Sequence, residues 1–289
     1  MKYAYYPGCS LHSTAKEYDI SAQAVCKALD IELQEIPGWV CCGASSAHAT
    51  SELLSLALPA KNLVMARDMG LDVLVCCAAC YSRLRIANAA IGSNDNNRAR
   101  VNEVVGTDYD GQVQVRHLLD VLVTEYGLDN LRKRASKELT DWKVAAYYGC
   151  LLTRPPEVVA FDNAESPTSM DRLAETLGAK AVNWPYKTQC CGQSLSLTRT
   201  DVVLKLCHDI LRMAVDNGAD CIMVACPLCQ SNLDLRQAQV NKLYKTEFAV
   251  PIVYFTQLIG LALGIGAKDL GLYKLVTSPK RLLEAKGLS

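Results

Sequence analysis

Ten of the 14 cysteines in this 289-residue chain fall into one pattern written twice. The first copy, Cys9, Cys41-Cys42 and Cys77/Cys80, reads C-x31-CC-x34-C-x2-C. The second, Cys150, Cys190-Cys191 and Cys226/Cys229, reads C-x39-CC-x34-C-x2-C, so the doublet-to-pair spacing is identical. A C-x2-C pair brings two thiolates from one turn to a common centre, as zinc and iron-sulfur sites do. A doublet adds adjacent sulfurs that reach different metals of a polynuclear centre. The pattern predicts two related domains, residues 1–140 and 141–289, each of ordinary domain size.

Composition bounds the setting. Half the residues are hydrophobic, enough for a large core. Lys+Arg and Asp+Glu both count 30, and no run of basic residues offers the field that a nucleic-acid surface requires. The opening MKYAYYPGCS lacks the apolar core and cleavage site of a secretory signal. A cytoplasmic location is therefore expected, where thiols stay reduced and serve as ligands rather than as a disulfide framework. The apolar stretch Leu258–Ile265 is too short to span a bilayer and reads as a buried helix.

Short β-forming runs precede the cysteines: Lys2–Tyr6, Val73–Val75, Val144–Tyr148 and Ile222–Val224. Helical patterns lie between them, notably 51–69 and 201–217, with N-caps expected at Thr50 or Ser51 and at Thr200 or Asp201, and stops near Gly70 and Gly218. The stretches 114–122 and 252–260 each read as a strand entering a helix. Polar Gly92–Arg100 reads as a surface loop. The alternation predicts an α/β fold with a small, mostly parallel sheet and flanking helices in each domain. Ligands gather at the carboxyl ends of such strands, where the cysteines lie.

Four thiolates complete a zinc site or a cubane cluster, yet each copy offers five. The surplus recurs at corresponding positions, which favours an open, non-cubane centre over a structural fifth cysteine. The two CCG motifs at 41–43 and 190–192, the opening Tyr6–Ser10 (Tyr-Pro-Gly-Cys-Ser) and the Cys226-Pro-Leu-Cys229 turn closely resemble the B subunit of heterodisulfide reductase, over nearly the whole chain. The resemblance implies two CCG domains, each holding a non-cubane [4Fe-4S] cluster through five cysteines. One cluster would sit on Cys9, Cys41, Cys42, Cys77 and Cys80, the other on Cys150, Cys190, Cys191, Cys226 and Cys229. It also implies reduction of the mixed disulfide of coenzyme M and coenzyme B, a step of methanogenesis. The implied partners are the ferredoxin-like C and flavin-containing A subunits of that enzyme, together with a hydrogenase or formate dehydrogenase.

Cys77, not Cys76, preserves both spacings, so Cys76 reads as a bystander. Cys26, Cys207 and Cys221 read as core thiols. His12 and His48 are the nearest imidazoles in sequence and the candidate proton donors to a product thiolate, against a structural hydrogen-bonding role. Arg83, Arg85, Arg154, Lys187 and Arg199 are candidate anion binders, against simple solvation or pairing. Tyr5, Tyr6, Tyr147 and Tyr148 precede ligand cysteines and bond cluster or substrate, or merely pack. No dinucleotide fingerprint or P-loop is present, so a partner is expected to supply electrons. Two alternatives stand beside the disulfide reading. One is an electron-transfer component of another CCG-containing oxidoreductase, with a quinone or protein acceptor. The other is a zinc scaffold without redox chemistry. Completeness of both copies favours the disulfide.

Overall fold

The structure is a computed structural model that describes residues 1–44 and 46–288. The first half forms four strands, β1 (Lys2–Tyr6), β2 (Glu32–Glu35), β3 (Val73–Val75) and β4 (Val115–His117). The second forms β5 (Lys143–Tyr147), β6 (Lys180–Ala181), β7 (Cys221–Val224) and β8 (Ile252–Tyr254). They pair into two four-stranded sheets, ordered β2-β1-β3-β4 and β6-β5-β7-β8. Every pairing is parallel. The fold class is therefore α/β, two parallel sheets flanked by helices.

The central strands are apolar because helices cover both faces of a parallel sheet. Ala4 to Tyr6, Val73 to Val75, Val144 to Tyr147 and Cys221 to Val224 are buried throughout. The register aligns Tyr6 with Val75 and Tyr147 with Val224, so neighbouring central strands end level. β2 is an edge strand of sequence Glu-Leu-Gln-Glu, exposed at three of four positions, and β6 has only two residues. Their polarity and brevity hide them from a reading based on hydrophobic runs.

Helix Glu52–Asp68 is capped by Ser51, whose hydroxyl accepts from the Leu54 N–H at 3.3 Å. Helix Thr200–Asp216 begins one residue earlier than its sequence suggests. Arg199 holds the cap position without a side-chain cap bond and pairs with Asp201 instead. The expected loop at 92–100 is not a loop. Helix Ala78–Ser93 runs up to Asn94, and a second helix, Asp95–Val105, starts directly after it. Asn94 adopts extended backbone and accepts from the Asn97 N–H at 3.0 Å, while Asp95 favours the first turn. The same polar residues that suggest a loop thus serve as a helix start. Helix Phe255–Ala262 is buried at every position.

The buried apolar side chains of both halves form one continuous cluster. Tyr18 stacks on Tyr254 with ring centroids 3.9 Å apart, and Ser21 Oγ bonds Thr256 Oγ1 at 2.7 Å. Tyr81 donates to the Val159 carbonyl at 3.1 Å and Arg85 to that of Val158 at 3.0 Å. Asn94→Ala is expected to lower unfolding free energy by about 1 kcal/mol, measured by chemical denaturation, because it strips the cap of an otherwise polar helix. Asn94→Asp should retain the stability.

Candidate metal centres

The strand order sets out the donors. β1 leads into Gly8 and Cys9, β3 into Cys77 and Cys80, and the chain after β2 returns as Cys41-Cys42. β1 and β3 are neighbours on opposite sides of the point where the chain reverses its direction of travel across the sheet, the usual crevice for ligands in such sheets. The second sheet repeats the layout with Cys150 after β5, Cys226 and Cys229 after β7, and Cys190-Cys191 after β6.

Each set has an outer and an inner part. Cys9, Cys41 and Cys190 are exposed and Cys150 is half-buried, whereas Cys42, Cys77, Cys80, Cys191, Cys226 and Cys229 are buried. Sulfurs of Cys42 and Cys80 lie 3.3 Å apart, and those of Cys191 and Cys229 lie 3.5 Å apart. Gly43 N–H points at Cys41 Sγ (3.4 Å) and Gly192 N–H at Cys190 Sγ (3.3 Å). Cys77 and Cys226 lie near enough to influence each other's ionisation, so the two sets approach across the boundary between the sheets.

These contacts concentrate negative charge. The neighbouring thiols of Cys41 and then Cys80 pull the Cys42 thiol down to about 3, and that of Cys150 lowers Cys190 to about 6. Cys229 and then Cys77 hold Cys226 well below the ordinary thiol range. Their neighbours Cys41, Cys80, Cys150 and Cys229 are pushed up, first by the adjacent thiol. Among the described residues no three His, Cys, Asp or Glu side chains are grouped to hold a single metal ion. The sulfur contacts are pairwise, Cys42 with Cys80 and Cys191 with Cys229.

Glycines make the sites narrow. Gly8 and Gly149 have φ of +67° and +66°, and a Cβ on either would stand 3.2 Å from Cys80 Sγ or 2.9 Å from Cys229 Sγ. Gly43 and Gly192 also have positive φ, and a Cβ there would strike Ala47 or crowd Leu206. Tyr6 donates to the Val40 carbonyl at 2.8 Å and Tyr147 to that of Gln189 at 2.6 Å, each pinning the residue before a doublet. Asn62 braces Val40 further, accepting from its N–H and donating to its carbonyl. In the second half Asn232 donates to the Cys191 carbonyl at 2.8 Å.

The other singled-out residues separate clearly. Tyr5 donates to Asp19 and Tyr148 to Asp171. Lys187 pairs with Asp171, Arg199 with Asp201, and Arg154 with Glu165. Arg85 binds Val158, while the buried Arg83 Nε has no hydrogen-bond partner among the described residues. His12 lies 3.4 Å from Glu35 and edge-on to Trp39. His48 is exposed on the short helix Ala47–Thr50. Cys76 is fully buried at the end of β3, and burial also raises Cys26 and Cys207 to about 12.

Sequence reasoning missed His117. It sits fully buried at the end of β4, with Nε2 at 2.7 Å from the Cys76 carbonyl and 3.2 Å from that of Ala225. Burial lowers its pKa to about 4, so the ring is neutral near pH 7. Those carbonyls belong to the residues before Cys77 and Cys226, which no local pattern around His117 discloses.

A cavity of about 80 Å³ lies beside the second set, lined by Cys150, Cys190, Cys191, Cys226 and Cys229 and, from the first half, by Ala44, Ala78 and Ala79. Among the described residues no helix is long and apolar enough to cross a membrane.

The family model described as the CCG cysteine-rich domain matches residues 3–85 and again 144–234. The chain is 36% identical over 272 residues to the 8-methylmenaquinol:fumarate reductase membrane anchor subunit of Wolinella succinogenes, covering 94% of this chain and 95% of that one. It is 31% identical over 277 residues to the B subunit of the ferredoxin:CoB-CoM heterodisulfide reductase of Methanosarcina mazei, covering 94% and 92%. A crystal structure of a hypothetical protein from Helicobacter pylori superposes with a TM-score of 0.77 at 16% identity. It covers 96% of this chain, which spans about half the length of that protein, and it shows likeness of fold.

Tyr147→Phe should cost about 1 kcal/mol in chemical denaturation, since it leaves the Gln189 carbonyl without its phenol donor. Tyr6→Phe should cost a similar amount through Val40.

Proposed function

This chain belongs to the cysteine-rich CCG-domain family, and from that premise we propose that it is the iron-sulfur electron-transfer component of a multi-subunit oxidoreductase. Cys9, Cys41, Cys42, Cys77 and Cys80 would hold one non-cubane [4Fe-4S] cluster, and Cys150, Cys190, Cys191, Cys226 and Cys229 the other. The two ligand sets follow the two matches to the family, and a division of the chain near residue 140 would give one to each domain. Five cysteines per set, a sulfur–sulfur contact within each, and glycines where any side chain would press on a ligand sulfur fit such a group. When bound, a four-iron cluster supplies one-electron storage and transfer.

The observation that carries the relay reading is the meeting of the two inner turns, where His117 Nε2 lies 2.7 Å from the carbonyl before Cys77 and 3.2 Å from the one before Cys226. Inner Cys77 and Cys226 are buried where the two sets approach, whereas outer Cys9, Cys41 and Cys190 are exposed. Such a layout admits an electron at one outer face and delivers it at the other. The cavity at the second set, about 80 Å³, is the size of the cysteine cup itself. An organic substrate usually occupies a pocket of about 300–1,000 Å³.

The Wolinella relative is named for a menaquinol donor and for fumarate as acceptor. We take a quinone-linked partner on one side and a second redox protein on the other as the working assignment. Attachment to a membrane, as that relative's name describes, would use a surface or a partner rather than a spanning helix of the described residues.

The likeness to the B subunit of heterodisulfide reductase favours a second reading, reduction of the coenzyme M–coenzyme B disulfide. There, partners resembling that enzyme's ferredoxin-like and flavin-containing subunits would supply electrons, and His12 or His48 would protonate a product thiolate. Purification of the native complex through this chain, followed by assay with a reduced viologen, separates the two. The relay reading expects turnover of a naphthoquinone analogue and none of the heterodisulfide; heterodisulfide turnover would overturn it.

Gly149→Ala tests the ligand sets. Its methyl would press on Cys229, so iron per chain should fall by about half, the share of one of two four-iron centres. Undiminished iron would show that the second seat is not where we place it.

A further inference from the structure

Two backbone carbonyls, those of Cys76 and Ala225, face the same point between the sheets. Each directly follows a buried central strand and immediately precedes an inner cysteine, Cys77 or Cys226. A carbonyl buried in an apolar boundary costs free energy unless it receives a donor, and two carbonyls brought together repel. Two donors resolve both problems. His117 Nε2 lies 2.7 Å from the Cys76 oxygen and 3.2 Å from the Ala225 oxygen. The Tyr18 hydroxyl lies 2.9 and 3.5 Å from the same two atoms.

The proton on His117 follows from the network. Nδ1 accepts from the Leu119 N–H at 3.1 Å, which leaves Nε2 as the donor toward the carbonyls. Tyr81 packs edge-on to the imidazole at 5.8 Å, and Phe255 lies 6.2 Å away, so the ring is held. The arrangement breaks the internal symmetry. The end of β8, equivalent to that of β4, carries Tyr254, which stacks on Tyr18. One imidazole and one phenol therefore serve both halves at a single point.

Apolar side chains at this point would leave both carbonyls without a donor. The donors sit against the peptides leading into Cys77 and Cys226. A planar peptide transmits a shift of its oxygen to the next α-carbon, hence to the ligand sulfur. We propose that His117, together with Tyr18, is a positioning residue that fixes the separation and angle of the two inner cysteine turns and thereby sets the electronic coupling between the two centres. The proposal rests on the iron-sulfur reading given above.

The test uses the full chain purified anaerobically in its complex, with iron counted and the reduced protein recorded by electron paramagnetic resonance and by redox titration. His117→Phe keeps a ring and removes the donor; His117→Gln restores an N–H able to reach both carbonyls. The expected result is full iron in both variants. In H117F the magnetic interaction between the centres and the spacing of their midpoint potentials change, and in H117Q they return toward those of the unaltered protein. Full iron with an unchanged spectrum and unchanged potentials in H117F would overturn the proposal. If H117F does not accumulate, Tyr18→Phe, which removes one oxygen, decides by the same two readouts: a shift supports the role and no shift overturns it. Absence of iron from the unaltered protein would defeat the underlying reading and this one together, a result distinct from full iron with unchanged coupling.

Discussion

Parallel pairing of β1 with β3, and of β5 with β7, is the interaction on which the remainder depends. Because the paired strands end level, the loop bearing Cys9 and the turn bearing Cys77 leave the sheet side by side, and Cys150 and Cys226 do likewise. The doublets are then drawn in from the edge strands by Tyr6, Tyr147, Asn62 and Asn232 through hydrogen bonds to backbone. Bringing five thiols together offers little stability by itself, since ionised sulfurs repel. Neighbouring thiols lower Cys42, Cys190 and Cys226 below the ordinary thiol range, which favours the thiolate at those three. A polynuclear cation would bind this distribution with a large gain, and its binding energy would then support folding.

Duplication explains much of what else is seen. Each half repeats the glycine before the first cysteine, the tyrosine three residues before it and the glycine after the doublet. Two departures from repetition lie at the contact between halves, where Tyr18 stacks on Tyr254 and His117 faces both inner turns. A chain with two independent metal scaffolds would not need that contact. Completeness of both copies does not by itself favour disulfide chemistry, because a relay through two centres keeps both copies complete as well.

The cysteine framework, the four central strands and the strand-to-helix junctions at 114–122 and 252–260 were legible because they rest on spacing and local apolar runs. β2 and β6 were not, being polar or very short edges whose pairing depends on the strand beside them. The segment 92–100 misled because Asn and Asp serve both turns and helix starts. His117 escaped for a different reason: its partners lie 41 and 108 residues away in sequence. Lys187, Arg154 and Arg199 were conspicuous near the second motif, yet each is engaged by a carboxylate of the fold itself.

The central claim is that the two cysteine sets hold two iron-sulfur centres in one chain. Native mass spectrometry of the anaerobically purified protein, with iron and acid-labile sulfide measured on the same sample, tests it most directly. The account predicts a mass increment of two clusters, about eight irons and about eight sulfides per chain. Zinc without sulfide, or a single cluster shared by the two sets, would contradict it.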